Sequence, residues 1–152
     1  MRPSTIAAIT SSLEKLPNCR SEAVTNEGEI SNAEKQLGVT FSPDYKQFLN
    51  IFGGAVVGRR LIYGLRLAEY MHGNKDFTVI GATNQYRTKK WPSVSAWYVV
   101  SADGAGNPIG VDSEGAVWIF DHNQMRAEKI YAGFDEWIVN DCLVTDPDDD
   151  ED

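Results

Sequence analysis

"SADGAGNPIGVDSEGAVWIFDH", residues 101–122, decides how the second half of this chain folds. Two β-type runs, "NPIGVD" (107–112) and "AVWIFD" (116–121), are separated by Ser113-Glu114-Gly115. Three residues that include a glycine suit a hairpin loop with a bulge. Just upstream, Asp103-Gly104 opens a turn, Gly106 supplies a positive φ, and Asn107 can bond its own backbone. Pro108 then starts a strand, where its missing N–H is tolerated. Two other readings of the stretch fail on spacing. Counted as a calcium loop from Asp103, it offers Asp103, Asn107 and Glu114 at positions 1, 5 and 12, but Ala105 at 3 and Pro108 at 6, where a glycine must turn. A phosphate cradle needs a helix after its glycines, and here a strand follows. The turn reading fits best, with no metal and no cofactor expected.

Outward from this stretch, "AWYVVSA" (96–102), "FTVIG" (77–81) and "RLIYGL" (60–65) read as further strands, and residues 66–76 as a loop or helical turn. The first third is helical. Ile6, Ile9, Leu13 and Leu16 recur at helix spacing until Pro17, and a short helix spans Ile30 to Leu37 before Gly38. In "FSPDYKQFLNIFGG" (41–54), Ser42 can cap, Pro43 suits the first helical position, and Tyr45, Phe48, Leu49 and Phe52 form one apolar stripe. "GFDEWIVNDCL" (133–143) predicts a last amphipathic helix. Helices, then a sheet, then a helix imply one α+β domain over residues 1–145, with a mostly antiparallel or mixed sheet flanked by N-terminal helices and a C-terminal helix.

The 152 residues carry a net charge of −8, unevenly spread. Residues 53–100 hold seven bases and two acids, residues 101–145 two bases and eight acids, and the tail "DPDDDED" (146–152) six more acids. Such a tail repels itself and offers nothing to bury, so disorder is expected there. No apolar run has signal-peptide or membrane-spanning length, which predicts a soluble cytoplasmic protein. Cys19 and Cys142 have neither metal nor redox spacing and read as reduced, structural residues. The basic middle, with Arg59, Arg60, Arg66, Arg87, Lys89 and Lys90 beside Tyr86 and Trp91, has the composition of a small nucleic-acid surface. The overall charge and the acidic tail argue against that partner; the patch suits an acidic partner or the chain's own tail equally well. His72 and His122 lie apart, and no nucleophile elbow, His-Glu-x-x-His or Cys-His grouping is present, so no catalytic residue and no enzyme is expected.

Several pieces, in order, resemble the SUKH superfamily of cell-wall-assembly regulators and bacterial relatives. They are "GEISNAEKQLGVTFSPDYKQFLNIFGG" (28–54), "TNQYR" (83–87) as a Thr-x-x-Tyr-Arg element, "DGAGN" (103–107) as Asp-Gly-x-Gly-Asn, Asp121-His122, and "GFDEWI" (133–138). The likeness implies a non-enzymatic α+β domain. Bacterial members of the superfamily are similar to immunity proteins that bind polymorphic or contact-dependent toxins, often nucleases; the fungal relative is a regulatory scaffold. On that basis the expected partner is a cognate, basic protein toxin, with a regulatory scaffold module as the alternative and a metal- or small-molecule-dependent enzyme built on the glycine turn as the lesser one. Asp103, Asp112, Glu114 and Asp121 are the candidates for an acidic docking face. Tyr63, Tyr70, Tyr86 and Trp91 are candidate aromatic anchors, for which burial in the core is the equal alternative. Phe48, Trp118 and Trp137 are assigned to the core.

Overall fold

The computed structural model describes residues 1–16, 18–67 and 75–144. Three helices come first: α1 (Pro3–Glu14), α2 (Glu27–Leu37) and α3 (Pro43–Ile51). Next are the small hairpin β1 (Ala55–Val57) and β2 (Arg60–Ile62), and helix α4 (Val79–Thr88). A four-stranded antiparallel sheet follows in sequence order, β3 (Tyr98–Ala102), β4 (Pro108–Val111), β5 (Val117–Asp121) and β6 (Arg126–Tyr131). The last element, α5 (Phe134–Trp137), runs on as a π turn over Ile138–Cys142. This is the α+β arrangement expected, with antiparallel sheets.

Helix α3 forms as its sequence dictates. Ser42 Oγ accepts the Tyr45 N–H at 3.2 Å, Pro43 opens the first turn, and Tyr45, Phe48 and Leu49 are fully buried. Its aromatic stripe meets Phe134 of α5, at 5.5 Å from the Tyr45 ring and 5.8 Å from Phe48, and Tyr98 of β3 lies 5.4 Å from Tyr45. Burying each such ring stabilises the fold by about 1.5–3 kcal/mol relative to exposure. The Tyr45 hydroxyl donates to the Tyr63 carbonyl at 2.6 Å, so this core cluster also fixes the end of β2. β2 and the residue after it border β3 in turn: Tyr63 N–H donates to the Val100 carbonyl at 2.8 Å, and Ser101 Oγ to the Leu61 carbonyl at 2.7 Å.

Three elements differ from the sequence reading, one of them β1, which no expectation covered. "FTVIG", read as a strand, instead leads into and begins α4. Thr78 caps that helix by accepting the Gly81 N–H at 3.0 Å, and packing of Val79 and Ala82 into the core outweighs the β propensity of the run. β6 had no sequence signal, because "RAEKIY" alternates poorly; it is an edge strand whose exposed charges suit that position. The disorder expected of 146–152 concerns residues outside those described. Among the described residues no helix is long and apolar enough to cross a membrane.

Candidate functional site

The two turns of the opening stretch are built alike. In the first, the Asp103 N–H donates to the Asn107 carbonyl, Gly106 N–H to the Asp103 carbonyl, and Asp103 Oδ1 accepts the N–H groups of Ala105 and Asn107, both at 2.9 Å. In the second, Asp112 N–H donates to the Ala116 carbonyl, Gly115 N–H to the Asp112 carbonyl, and Asp112 Oδ1 accepts from Glu114 and Ala116 at 2.9 and 3.0 Å. The fourth residue of each, Gly106 (φ 84°) and Gly115 (φ 86°), occupies the left-handed region that makes the bulge. The second carboxylate oxygens differ. Asp103 Oδ2 takes the Asn107 amide at 2.9 Å, and Asp112 Oδ2 takes the Trp118 indole N–H at 2.8 Å. Asp121 caps the third turn, accepting from Asn123 and Gln124 at 2.8 and 3.2 Å.

Strand direction places these turns at two ends of the sheet. The 103–107 and 121–126 turns share one end, and the 112–116 turn occupies the other. The four acids therefore do not form the single acidic face expected from sequence. Antiparallel strands of four and five residues separate the pairs by about 13–17 Å.

At the first end, Asn107 is buried and joins the two turns. Its Oδ1 accepts the His122 backbone N–H at 3.0 Å and also contacts His122 Nδ1. Burial alone would raise the Asp103 pKa. The hydrogen bonds from the Asn107 side chain and backbone and from Ala105, with the charge of Arg60, outweigh it and hold the carboxyl below its ordinary value. The "TNQYR" segment fastens α4 to this frame. Thr83 Oγ1 accepts the Val99 N–H at 2.8 Å, Tyr86 Oη donates to the Gly106 carbonyl at 3.0 Å, and Arg87 donates to the Leu37 and Trp97 carbonyls at 2.7 and 2.9 Å. Trp91 sits edge-on to Tyr86, Phe120 and His122, with ring centroids at 5.0, 5.8 and 6.0 Å. Together they form an open cleft rimmed by Lys89 and Lys90. Tyr86→Phe is expected to lower stability by about 1 kcal/mol, because the phenol bond is exposed and one carbonyl loses a donor that water can replace. Urea unfolding checks this.

At the second end, a groove of about 730 Å³ opens between α2 and the 112–116 turn, with Glu34, Lys46, Tyr98 and Asp112 on its walls. Glu34 Oε2 accepts the Phe41 N–H at 2.7 Å and lies 3.5 Å from Lys46 Nζ. Burial pushes the Tyr98 phenol up to about 12; the Asp112 and Glu34 charges act the same way, against hydrogen bonds from Ser42. The phenol therefore stays protonated at neutral pH.

The basic middle of the sequence is largely consumed within the fold. Arg59 and Arg60 converge on Asp141, at 2.6 and 3.1 Å, and Arg66 bonds Glu22 and Glu29, each at 2.8 Å. These pairings take apart the polyanion surface that composition suggested. The sequence marked Asn107 only as a turn residue and did not single out Asp141; their long-range partners, His122 for the first and Arg59, Arg60 and Trp137 for the second, carry no local signal.

Of the proposed anchors, Tyr86 and Trp91 are partly exposed beside the cleft. Tyr63, at 7% exposure and stacked on Phe77, belongs to the core, the alternative that the sequence left open. Tyr70 lies outside the described residues. Phe48 and Trp137 are buried as expected, while Trp118 is partly exposed and stacked on Trp97. Among the described residues no group of three or more His, Cys, Asp or Glu side chains is arranged to hold a metal ion.

The SUKH_5 family model, described as SMI1-KNR4 cell-wall, matches residues 6–143. Among solved structures 18 chains match. One is a crystal structure of a protein from Pseudomonas syringae pv. tomato, similar at a TM-score of 0.69 and 14% identity over 93% of this chain and 98% of that one. At such identity the likeness shows the fold alone. No curated protein matches the sequence. The family match takes in α2, α3, the "TNQYR" helix, both aspartate turns and α5, and on that breadth the chain belongs to the SUKH_5 family of SMI1-KNR4 cell-wall proteins.

Proposed function

We propose that this chain is a non-enzymatic immunity protein that neutralises a cognate toxin, of basic and nuclease type, by stoichiometric binding. One observation carries the reading. Asp112 and Glu114 stand on a rigid turn without an ion-pair partner among the described residues. The Asp112 carboxylate, held by the Glu114 and Ala116 N–H groups and the Trp118 indole, attracts a cationic surface without first having to be ordered. Glu114 is exposed and its side chain supports nothing in the fold, so its charge is free for a partner.

The test is a mixture of the full chain with a basic toxin domain. A one-to-one complex by light scattering, with toxin activity lost at equivalence, supports the reading. Inhibition at far below equivalence would sink it, because that requires turnover. Two variants refine it by stopped-flow kinetics at low salt. Glu114→Lys is expected to slow association about three- to tenfold, and deletion of 147–152 to slow it by a similar factor, with dissociation nearly unchanged in both. A regulatory scaffold is the second reading, favoured by the cell-wall description of the family. It predicts several envelope or signalling partners in place of one basic protein.

A further inference from the structure

Among the described side chains of residues 53–100, the arginines all have partners: Arg59 and Arg60 on Asp141, Arg66 on Glu22 and Glu29, and Arg87 on two carbonyls. Lys89 and Lys90 are exposed and have none. They flank Trp91, whose cleft also has Phe120 and Met125 on its walls. Met125 is 66% exposed, the most exposed large hydrophobic residue described, and the unpaired Arg126 follows it. Exposed apolar surface ringed by uncompensated cations is complementary to an acidic segment with an apolar residue.

This chain contains such a segment. "DPDDDED" (146–152) has six acids and Pro147. The last described residues pack against the β1–β2 turn. The Cys142 carbonyl accepts the Arg59 N–H at 3.0 Å, and Arg60 bonds Asp141 while its charge acts on Asp103. The Asp103 turn carries the Gly106 carbonyl bonded by Tyr86, and Trp91 packs on Tyr86. From Val144, the eight residues 145–152 reach up to about 27 Å when extended.

We propose that the acidic segment 146–152 docks across the Trp91 cleft of its own chain, with its carboxylates on Lys89 and Lys90 and Pro147 against the indole. Docking cancels two positive charges that would otherwise oppose a basic partner. It does not rest on the toxin reading, and it is measured on the isolated protein.

The experiment compares indole and amide NMR signals of the full chain and of the chain lacking 147–152, with Trp91 assigned through Trp91→Phe. Signals of Trp91, Lys89, Lys90 and His122 are expected to shift on deletion, several-fold more than those of the 112–116 turn. In about 1 M salt, where screening acts within ~3 Å, the full chain should approach the truncated spectrum. Lys89→Gln with Lys90→Asn in the full chain should do the same; Asn is chosen because position 90 has φ 58°. Identical cleft signals with and without the segment would overturn the proposal. So would a shift that grows with protein concentration, which assigns the contact to a second copy, or a salt-insensitive shift.

Discussion

Asp141→Ala is expected to lower the unfolding free energy by about 3 kcal/mol, because three groups lose one carboxylate at once. Asp141 is 12% exposed at its side chain and bonds Arg59 at 2.6 Å, Arg60 at 3.1 Å and the Trp137 indole N–H at 2.9 Å. The three losses differ in weight. Arg59 is 48% exposed and rehydrates, so its share is discounted for solvent screening. Arg60, at 17%, and the fully buried Trp137 cannot, and each leaves a donor unsatisfied. For a chain of this length the loss corresponds to a fall in Tm of about 6–12 °C, measurable by calorimetry.

The same carboxylate sets an acid limit. Burial would raise the Asp141 pKa, but hydrogen bonds from Arg60 and Arg59, the charge of Arg60 and the Trp137 indole outweigh it and leave it below its ordinary value. A carboxyl with a depressed folded-state pKa gives stability that is present above the unfolded value, about 3.9, and is lost as pH falls through the folded one. Asp103 and Asp135 are depressed for related reasons, Asp135 by the Arg2 and Thr5 bonds that overcome its burial. Stability should therefore fall below about pH 4, and Asp141→Asn should flatten part of that fall. An unchanged acid slope in Asp141→Asn would remove this residue from the account.

Local chemistry was legible in the sequence, and long-range chemistry was not. Helix α3 could be read because Ser42, Pro43 and the apolar stripe agree with one another over nine residues. The Asp103 and Asp112 turns could be read because each closes within five residues. "FTVIG" misled because its residues favour a strand in isolation, and only the Thr78 cap and the packing of α4 on β3 reverse that. The charge split misled in a related way. A net positive middle and a negative last third suggested two surfaces, yet Arg59 and Arg60 meet Asp141 across 82 and 81 positions. Asn107 contacts His122 across 15 positions, through a register that one hairpin alone does not specify. The family signatures thus resolve into framework chemistry. Thr83, Tyr86 and Arg87 fasten a helix, and Asp103 and Asn107 hold two hairpins in phase. Glu114, Lys89 and Lys90, which the sequence did single out, lie between those fixed points, exposed and in no ion pair among the described residues.

Gly58→Ala is expected to cost about 3–4 kcal/mol, as much as losing the carboxylate, and at the same joint. Gly58 has φ 58° in the turn between β1 and β2, and an added Cβ would lie 2.0 Å from the Cys142 carbonyl oxygen and 3.1 Å from the Leu143 Cα. The left-handed backbone accounts for about 1–2 kcal/mol of the loss. The remainder comes from pushing the C-terminal turn off the hairpin, which breaks the 3.0 Å bond from Arg59 N–H to Cys142 and draws Arg59 and Arg60 away from Asp141. Gly106→Ala separates these parts. Gly106 has φ 84° but nothing within 4 Å of an added Cβ, so it should show the backbone cost alone, about 1–2 kcal/mol. Because Gly58 and Asp141 act through one contact, the double variant Gly58→Ala, Asp141→Ala should lose less than the sum of the single losses. Strict additivity in urea unfolding would mean that the β1–β2 turn and the C-terminal turn are held by separate interactions. A double loss short of the sum, together with a small Gly106→Ala effect, would locate the closure of this fold at the seam where Gly58 meets Cys142.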